Sequence, residues 1–185
     1  MFRSNQMGRF GARSEENLNM LELNAIITTY GQLETDVRHF MHYACGPFCG
    51  RCQALCCRSD YCRESLESPF LAAVRKRFAP EAGWHHALGW LIPTGCSLAA
   101  GRPPVCYEFC CRTILAAQPS ALARTWLGTL SRILTDAGRN AAGRRHLVEL
   151  ADLQRINTAR LTRQLARARS VLDGLREGLN TIAAQ

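Results

Sequence analysis

Cys45-Gly-Pro-Phe-Cys49-Gly-Arg-Cys52-Gln-Ala-Leu-Cys56-Cys57-Arg-Ser-Asp-Tyr-Cys62 is the stretch whose reading decides the fold. The other cysteines are Cys96, Cys106, Cys110 and Cys111, so all 10 of the chain lie between positions 45 and 111. Pro47 suits the first position of a short helix. If 48–58 is helical, Cys49, Cys52 and Cys56 share one face and Cys57 points away. On either side of the window the sequence has no cysteine and shows helical periodicity. The expected fold class is therefore mainly α, a helical scaffold around an irregular Cys-rich metal-binding centre.

Upstream, Ser14 has the chemistry of an N-cap, with Glu15 and Glu16 in the first turn, where negative charge suits the helix dipole. Leu18, Leu21, Ala25, Ile26, Leu33, Val37 and Phe40 recur at roughly helical spacing. An N-terminal helix over 14–44 follows, weakened at Gly31 and stopped by Gly46-Pro47. Residues 1–13 read as a mobile tail.

Downstream, Ser68-Pro69 pairs a cap residue with proline at the first helical position, which predicts a helix over Pro69–Phe78 ending before Pro80. Prolines and glycines punctuate 80–105. Within that region Leu88-Gly-Trp-Leu-Ile reads as a short buried extended piece and Gly95-Cys96 as a tight turn presenting a thiol. A helix after Pro104 would put Cys106 and Cys110 on one face.

The C-terminal segment, 112–185, is helical from about 120 with a break near Gly138–Gly143. Leu161, Leu165, Ala168, Leu172, Leu175, Leu179 and Ile182 follow 4-3-4-3-4-3 spacing, a seam that packs on another helix. That helix belongs either to this chain or to a partner, which leaves open a homodimer or an unknown protein docked on the C-terminal helix. At 185 residues the whole is expected to be one domain, with 45–111 as its Cys-rich core.

Clustered thiolates select zinc, cuprous copper or iron–sulfur clusters. A metal charge offsets their mutual repulsion and lowers their pKa values. The opening residues carry no apolar leader and no run is long enough to span a membrane, so the expected compartment is the cytoplasm, where thiols stay reduced. The ligands this favours are Cys49, Cys52, Cys56, Cys57, Cys96, Cys106 and Cys110, with Cys45, Cys62 and Cys111 ranked behind them. The competing structural reading makes the cysteines buried small apolar residues.

The pattern Cys49-x2-Cys52-x3-Cys56-Cys57, followed by Gly95-Cys96, Arg102-Pro103, Cys106 and Cys110-Cys111, resembles the cysteine-cluster proteins described as zinc- or iron-chelating. Their motif is C-x2-C-x2-C-C with a later Gly-Cys…Arg-Pro…Cys…Cys segment. Here three residues separate Cys52 from the Cys56-Cys57 pair, which leaves either of that pair as the ligand. The resemblance spans about 45–111 and implies an iron–sulfur cluster or zinc. Zinc prefers two C-x2-C knuckles and this chain has one, so spacing leans toward iron–sulfur.

Three function classes follow. The first is a metal-binding protein with a redox or structural role. The second is a small metal-dependent modification or redox enzyme, with His85, His86 or Glu108 lining its pocket. The third is a zinc-stapled interaction module working through the C-terminal helix. His39 and His42 lie close in sequence to Cys45, either as hydrogen-bonding support for a ligand or as helix surface. The formal net charge of +8 suits an anionic partner. Yet no aromatic residues interleave with Arg160, Arg163 and Arg167, so nucleic acid is the less favoured partner. No Ser-His-Asp order, Walker loop, dinucleotide fingerprint or H-E-x-x-H occurs.

Overall fold

The computed structural model describes residues 7–49, 59–92 and 95–183. The chain is mainly α-helical. Helix α1 is Met7–Cys49, α2 is Ser59–Glu67 and α3 is Pro69–Phe78. Two short antiparallel strands follow, β1 (Leu91–Ile92) and β2 (Gly95–Cys96), with Leu91 opposite Cys96. Helices α4 (Val105–Glu108) and α5 (Arg112–Ala116) are short; α6 (Ala121–Gly138) and α7 (Thr158–Ala183) are long.

The helix starts obey local chemistry. The Ser68 hydroxyl accepts the Leu71 N–H at 3.3 Å ahead of Pro69, and Ser120 accepts the Ala123 N–H at 3.1 Å. The Asn157 side chain accepts the Arg160 N–H at 2.9 Å at the start of α7. Along α6 the buried residues Ala123, Trp126, Leu127, Leu130, Leu134 and Ala137 form one stripe. The α7 seam meets it: Leu161, Leu165, Ala168 and Leu172 are all buried. That part of the seam is therefore spent inside the chain's own bundle rather than on a partner.

Helix α1 lies across α6 and α7 and also carries α3. Tyr30 and Phe70 meet edge to face with ring centroids 5.1 Å apart. Gly31, read from sequence as a weak point, faces the Phe78 ring of α3. A Cβ there would stand 2.2 Å from Phe78 Cε2, so the missing side chain is what admits the Phe78 ring. An Asp36–Arg169 ion pair joins α1 to α7.

Several expectations are corrected. Residues 7–13, assigned to a mobile tail, are helical and open α1; Gly8 and Gly11 weaken those turns, but no proline stops them. Helix α1 does not stop at Gly46-Pro47 but runs through both to Cys49. Proline removes only one N–H, and here that loss falls in the final turn. Helix α4 ends at Glu108 and Phe109 is extended at φ −82°, ψ 93°, so Cys106 and Cys110 do not share a helical face. Helix α2 had no expected counterpart. It buries Cys62 and Ser65, one turn apart. The proposed helical face of Cys49, Cys52 and Cys56 falls mostly on 50–58, outside the described residues.

A second, smaller core lies beyond α3, formed by Cys62, Ala79, Trp90 and Leu98. Trp84 packs edge to face on Trp90 at 5.1 Å, and the Arg75 guanidinium covers the Trp90 ring at 4.9 Å. The Trp90 indole N–H donates to Ser65 at 2.6 Å, and the Ser65 hydroxyl donates to the Cys62 carbonyl at 2.6 Å.

Candidate functional site

The C-terminal end of α1 and the link between α4 and α5 bring thiols together. Cys45 is buried on α1, one turn before Cys49. Cys110 leaves the end of α4, and Cys111 takes the N-cap position of α5. The Cys45 and Cys110 thiols interact with each other. That interaction, burial, and the neighbouring Cys49 and Cys111 push the Cys45 thiol up. The same interaction pulls Cys110 down, against its burial.

A second pair of thiols sits in the smaller core. Burial raises Cys62, opposed by the nearby Trp90 backbone N–H; Cys96 adds to the rise and Arg102 opposes it. Gly89, at φ +63°, lets the backbone pass close by: a Cβ there would be 3.2 Å from Cys62 Sγ. Cys96, on β2, is half-buried. Cys45, Cys110 and Cys111 pack in the main core, whereas Cys62 and Cys96 pack in the smaller one.

A carboxylate latch ties the link between β2 and α4 to α1. Glu34 on α1 is 0% exposed. It accepts the Gly101 N–H at 2.7 Å, the Arg102 N–H at 2.8 Å and the Tyr107 hydroxyl at 2.9 Å. Burial raises its carboxyl to about 7, against the pull of those hydrogen bonds and of the nearby Arg102 charge. Gly101 can lie here because it adopts φ +86°; a Cβ would stand 2.9 Å from Arg75 N and Leu71 O. The Arg102 side chain is fixed by the Leu98 carbonyl, with Nε at 2.9 Å and Nη2 at 2.7 Å. From there its charge acts on Cys62 and itself feels Tyr107, Cys96, Glu34 and Cys106.

The structure thus sorts the ligand candidates. It brings Cys110 and Cys49 to Cys45 and Cys111, two thiols the sequence had ranked lower. It takes Cys96 to Cys62 instead. Cys106 is exposed on α4. Cys52, Cys56 and Cys57 lie outside the described residues. Among the described residues, no group of three or more His, Cys, Asp or Glu side chains is placed to hold a metal ion. His85 and His86 are exposed and stack on each other at 4.7 Å. His39 and His42 are exposed on α1, and Glu108 is exposed and accepts the Thr135 hydroxyl. Arg160, Arg163 and Arg167 form an exposed face of α7.

An open groove of about 770 Å³ lies beside the Cys45 turn, lined by His42, Tyr43, Phe48, Gln118 and Trp126 among others. Sequence reasoning missed Glu34, although its place among Tyr30, Leu33 and Val37 on the apolar side of α1 was a usable signal. Among the described residues, no helix is long and apolar enough to cross a membrane. No protein-family model, curated protein or solved structure matches the chain.

Proposed function

We propose that the chain is a metal-binding protein that holds an iron–sulfur cluster, or alternatively zinc, through its clustered cysteines, in a redox or structural role. The observation that carries this reading is the thiol pair Cys45–Cys110. It joins the two ends of the cysteine window, with Cys49 and Cys111 in electrostatic reach. Unmetallated, such thiols repel one another on ionisation. A bound cation converts that repulsion into attraction.

The described thiols supply part of a ligand set. Cys49 ends α1 and leads directly into the segment carrying Cys52, Cys56 and Cys57, from which the remaining ligands are drawn. The resemblance of the spacing to zinc- or iron-chelating cysteine-cluster proteins supports the same assignment. An iron–sulfur cluster tolerates this irregular spacing better than tetrahedral zinc does.

The test is anaerobic purification with an ultraviolet–visible spectrum, elemental analysis and sulfide determination, on the parent chain and on Cys45→Ser, Cys110→Ser and Cys62→Ser. Stoichiometric metal that is lost in the first two variants and kept in the third supports the assignment. A broad visible band with iron and acid-labile sulfide identifies a cluster, and a colourless protein with zinc identifies a staple. A folded, metal-free chain whose thiols all titrate freely overturns it.

A further inference from the structure

We propose that an arginine face, at the corner where α6 gives way to α7, binds the phosphate backbone of duplex nucleic acid without regard to base sequence. This surface shares no residue with the proposed metal site and requires no metal.

The corner is tied together by hydrogen bonds. After α6 the chain closes a tight turn: the Ala141 N–H donates to the Arg145 carbonyl at 3.0 Å, and the Arg145 N–H to the Ala142 carbonyl at 3.1 Å. Gly143 reverses the chain at φ +60°, with open space where a Cβ would stand. The turn is then fastened to the start of α7. The Asn157 N–H donates to the Ala141 carbonyl at 2.9 Å. Arg160 Nη1 donates to the Asn140 carbonyl at 3.4 Å, and the Gln164 amide to the Arg139 carbonyl at 2.8 Å. Arg144 and Arg145 on the turn therefore adjoin Arg160, Arg163 and Arg167 on α7, and all five are exposed. At about 100° per residue, the three on α7 fall within an arc of about 60° and span about 10 Å of helix axis.

The charge on this face is uncompensated. Among the described residues, none of the five arginines forms an ion pair. The carboxylates bonded to these elements have other partners: Asp136 pairs with Arg139 at 3.2 Å, and Glu22 accepts the Thr158 hydroxyl at 2.6 Å. Arginines elsewhere are used inside the fold, as Arg169 is on Asp36 and Arg75 on the Trp90 ring. The positive end of the α7 dipole points into the same corner.

The occupant follows from what stands between the arginines. On α7 these are Ala159, Thr162 and Ala166, with Val171 a full turn beyond Arg167. A single strand stacks its bases on aromatic rings, and none is present. A membrane surface takes up large apolar side chains, and a protein partner needs an apolar centre to its interface. A duplex backbone asks only for a row of fixed cations, and the guanidinium fork matches phosphate oxygens in pairs.

The experiment measures binding of the full chain by fluorescence anisotropy, from about 50 to about 200 mM salt. The probes are two unrelated DNA duplexes, an RNA duplex, a DNA single strand and vesicles containing phosphatidylserine. The expected result is equal affinity for the two DNA sequences, with weaker binding to the single strand and the vesicles. The two kinds of duplex read which nucleic acid supplies the phosphates. For five phosphate contacts, log affinity should fall against log salt with a slope of about −4.5, a loss of about 500-fold over that range. Arg163→Gln with Arg167→Gln should lower the affinity and make the slope shallower by about 2. Lys76→Gln with Arg77→Gln removes the same charge from exposed positions on α3 and should leave the slope unchanged. Circular dichroism checks that both variants keep their helices. Tighter binding to the single strand or the vesicles, equal loss of slope in the two variants, or no salt-dependent duplex binding would overturn the proposal. No cysteine is altered, so these outcomes are read separately from metal content.

Discussion

Replacing Glu34 by glutamine should remove a specific pH dependence from folding stability. A carboxyl raised from its ordinary 4.5 to about 7 binds its proton more tightly in the folded chain than in the unfolded one. Its contribution to stability is then fully present below about pH 4.5 and is lost as pH rises through about 7. At ~1.36 kcal/mol per pH unit, the gap between 4.5 and about 7 corresponds to about 3 kcal/mol. Glutamine cannot ionise, so that slope should vanish. Its amide NH₂ will also face one of three donors, Gly101 N–H, Arg102 N–H or the Tyr107 hydroxyl, at a cost of roughly 1–3 kcal/mol for a buried group left unpaired. The assay is urea unfolding at a series of pH values from about 4 to about 8, followed by circular dichroism, for both chains. The quantity to read is the parent stability minus the Glu34→Gln stability. His146, which burial holds below its ordinary range, titrates with the opposite slope in both chains and cancels. The difference should be largest at acid pH and shrink by about 3 kcal/mol toward pH 8. A difference that stays constant, or grows with pH, refutes the assignment of a near-neutral carboxyl at this position.

Four further outcomes are expected. Gly31→Ala places a Cβ 2.2 Å from Phe78 Cε2, so overpacking of about 1–3 kcal/mol should outweigh the helix-propensity gain; thermal unfolding reads the sign, and a stabilised variant sinks the close-approach argument. Gly101→Ala combines φ +86° with backbone atoms at 2.9 Å, and its unfolding midpoint should fall by more than that of Gly143→Ala, whose φ is +60° but whose Cβ meets nothing. Leu165→Ala empties a buried seam position and should cost about 2–5 kcal/mol in urea unfolding; a near-neutral result would mean the seam is not packed in this chain. Chelation of a metal-loaded sample should lower the unfolding midpoint, since a ligand bound only to the folded state stabilises it; an unchanged midpoint after complete metal loss rules out a structural role for the metal.

What could be read from the sequence was what is written locally. Ser68-Pro69 announces α3 to the residue, because capping and proline act over one turn. The Leu161 to Leu172 spacing announces a buried face of α7. The C-terminal limit of α1 is not legible from residue type, because glycine and proline break a helix in its interior, whereas both Gly46 and Pro47 fall in the last turn. Glu34 could not be identified as buried from its type alone. Its donors come from residues 101, 102 and 107, which only the tertiary fold brings to α1. The cysteine window was legible as a whole, but not its internal pairing. Whether Cys110 meets Cys45 or Cys62 depends on where α4 ends, and a helix one turn long leaves little periodicity to read.

The segment from Gly101 to Tyr107 is closed onto α1 at one side chain, because Glu34 takes donors from both of its ends. Each contact shortens the free length left to the other and so lowers the entropic cost of making it. One carboxylate thus acts as the clasp of a short loop, and loosening either end of the loop weakens the hold on the other.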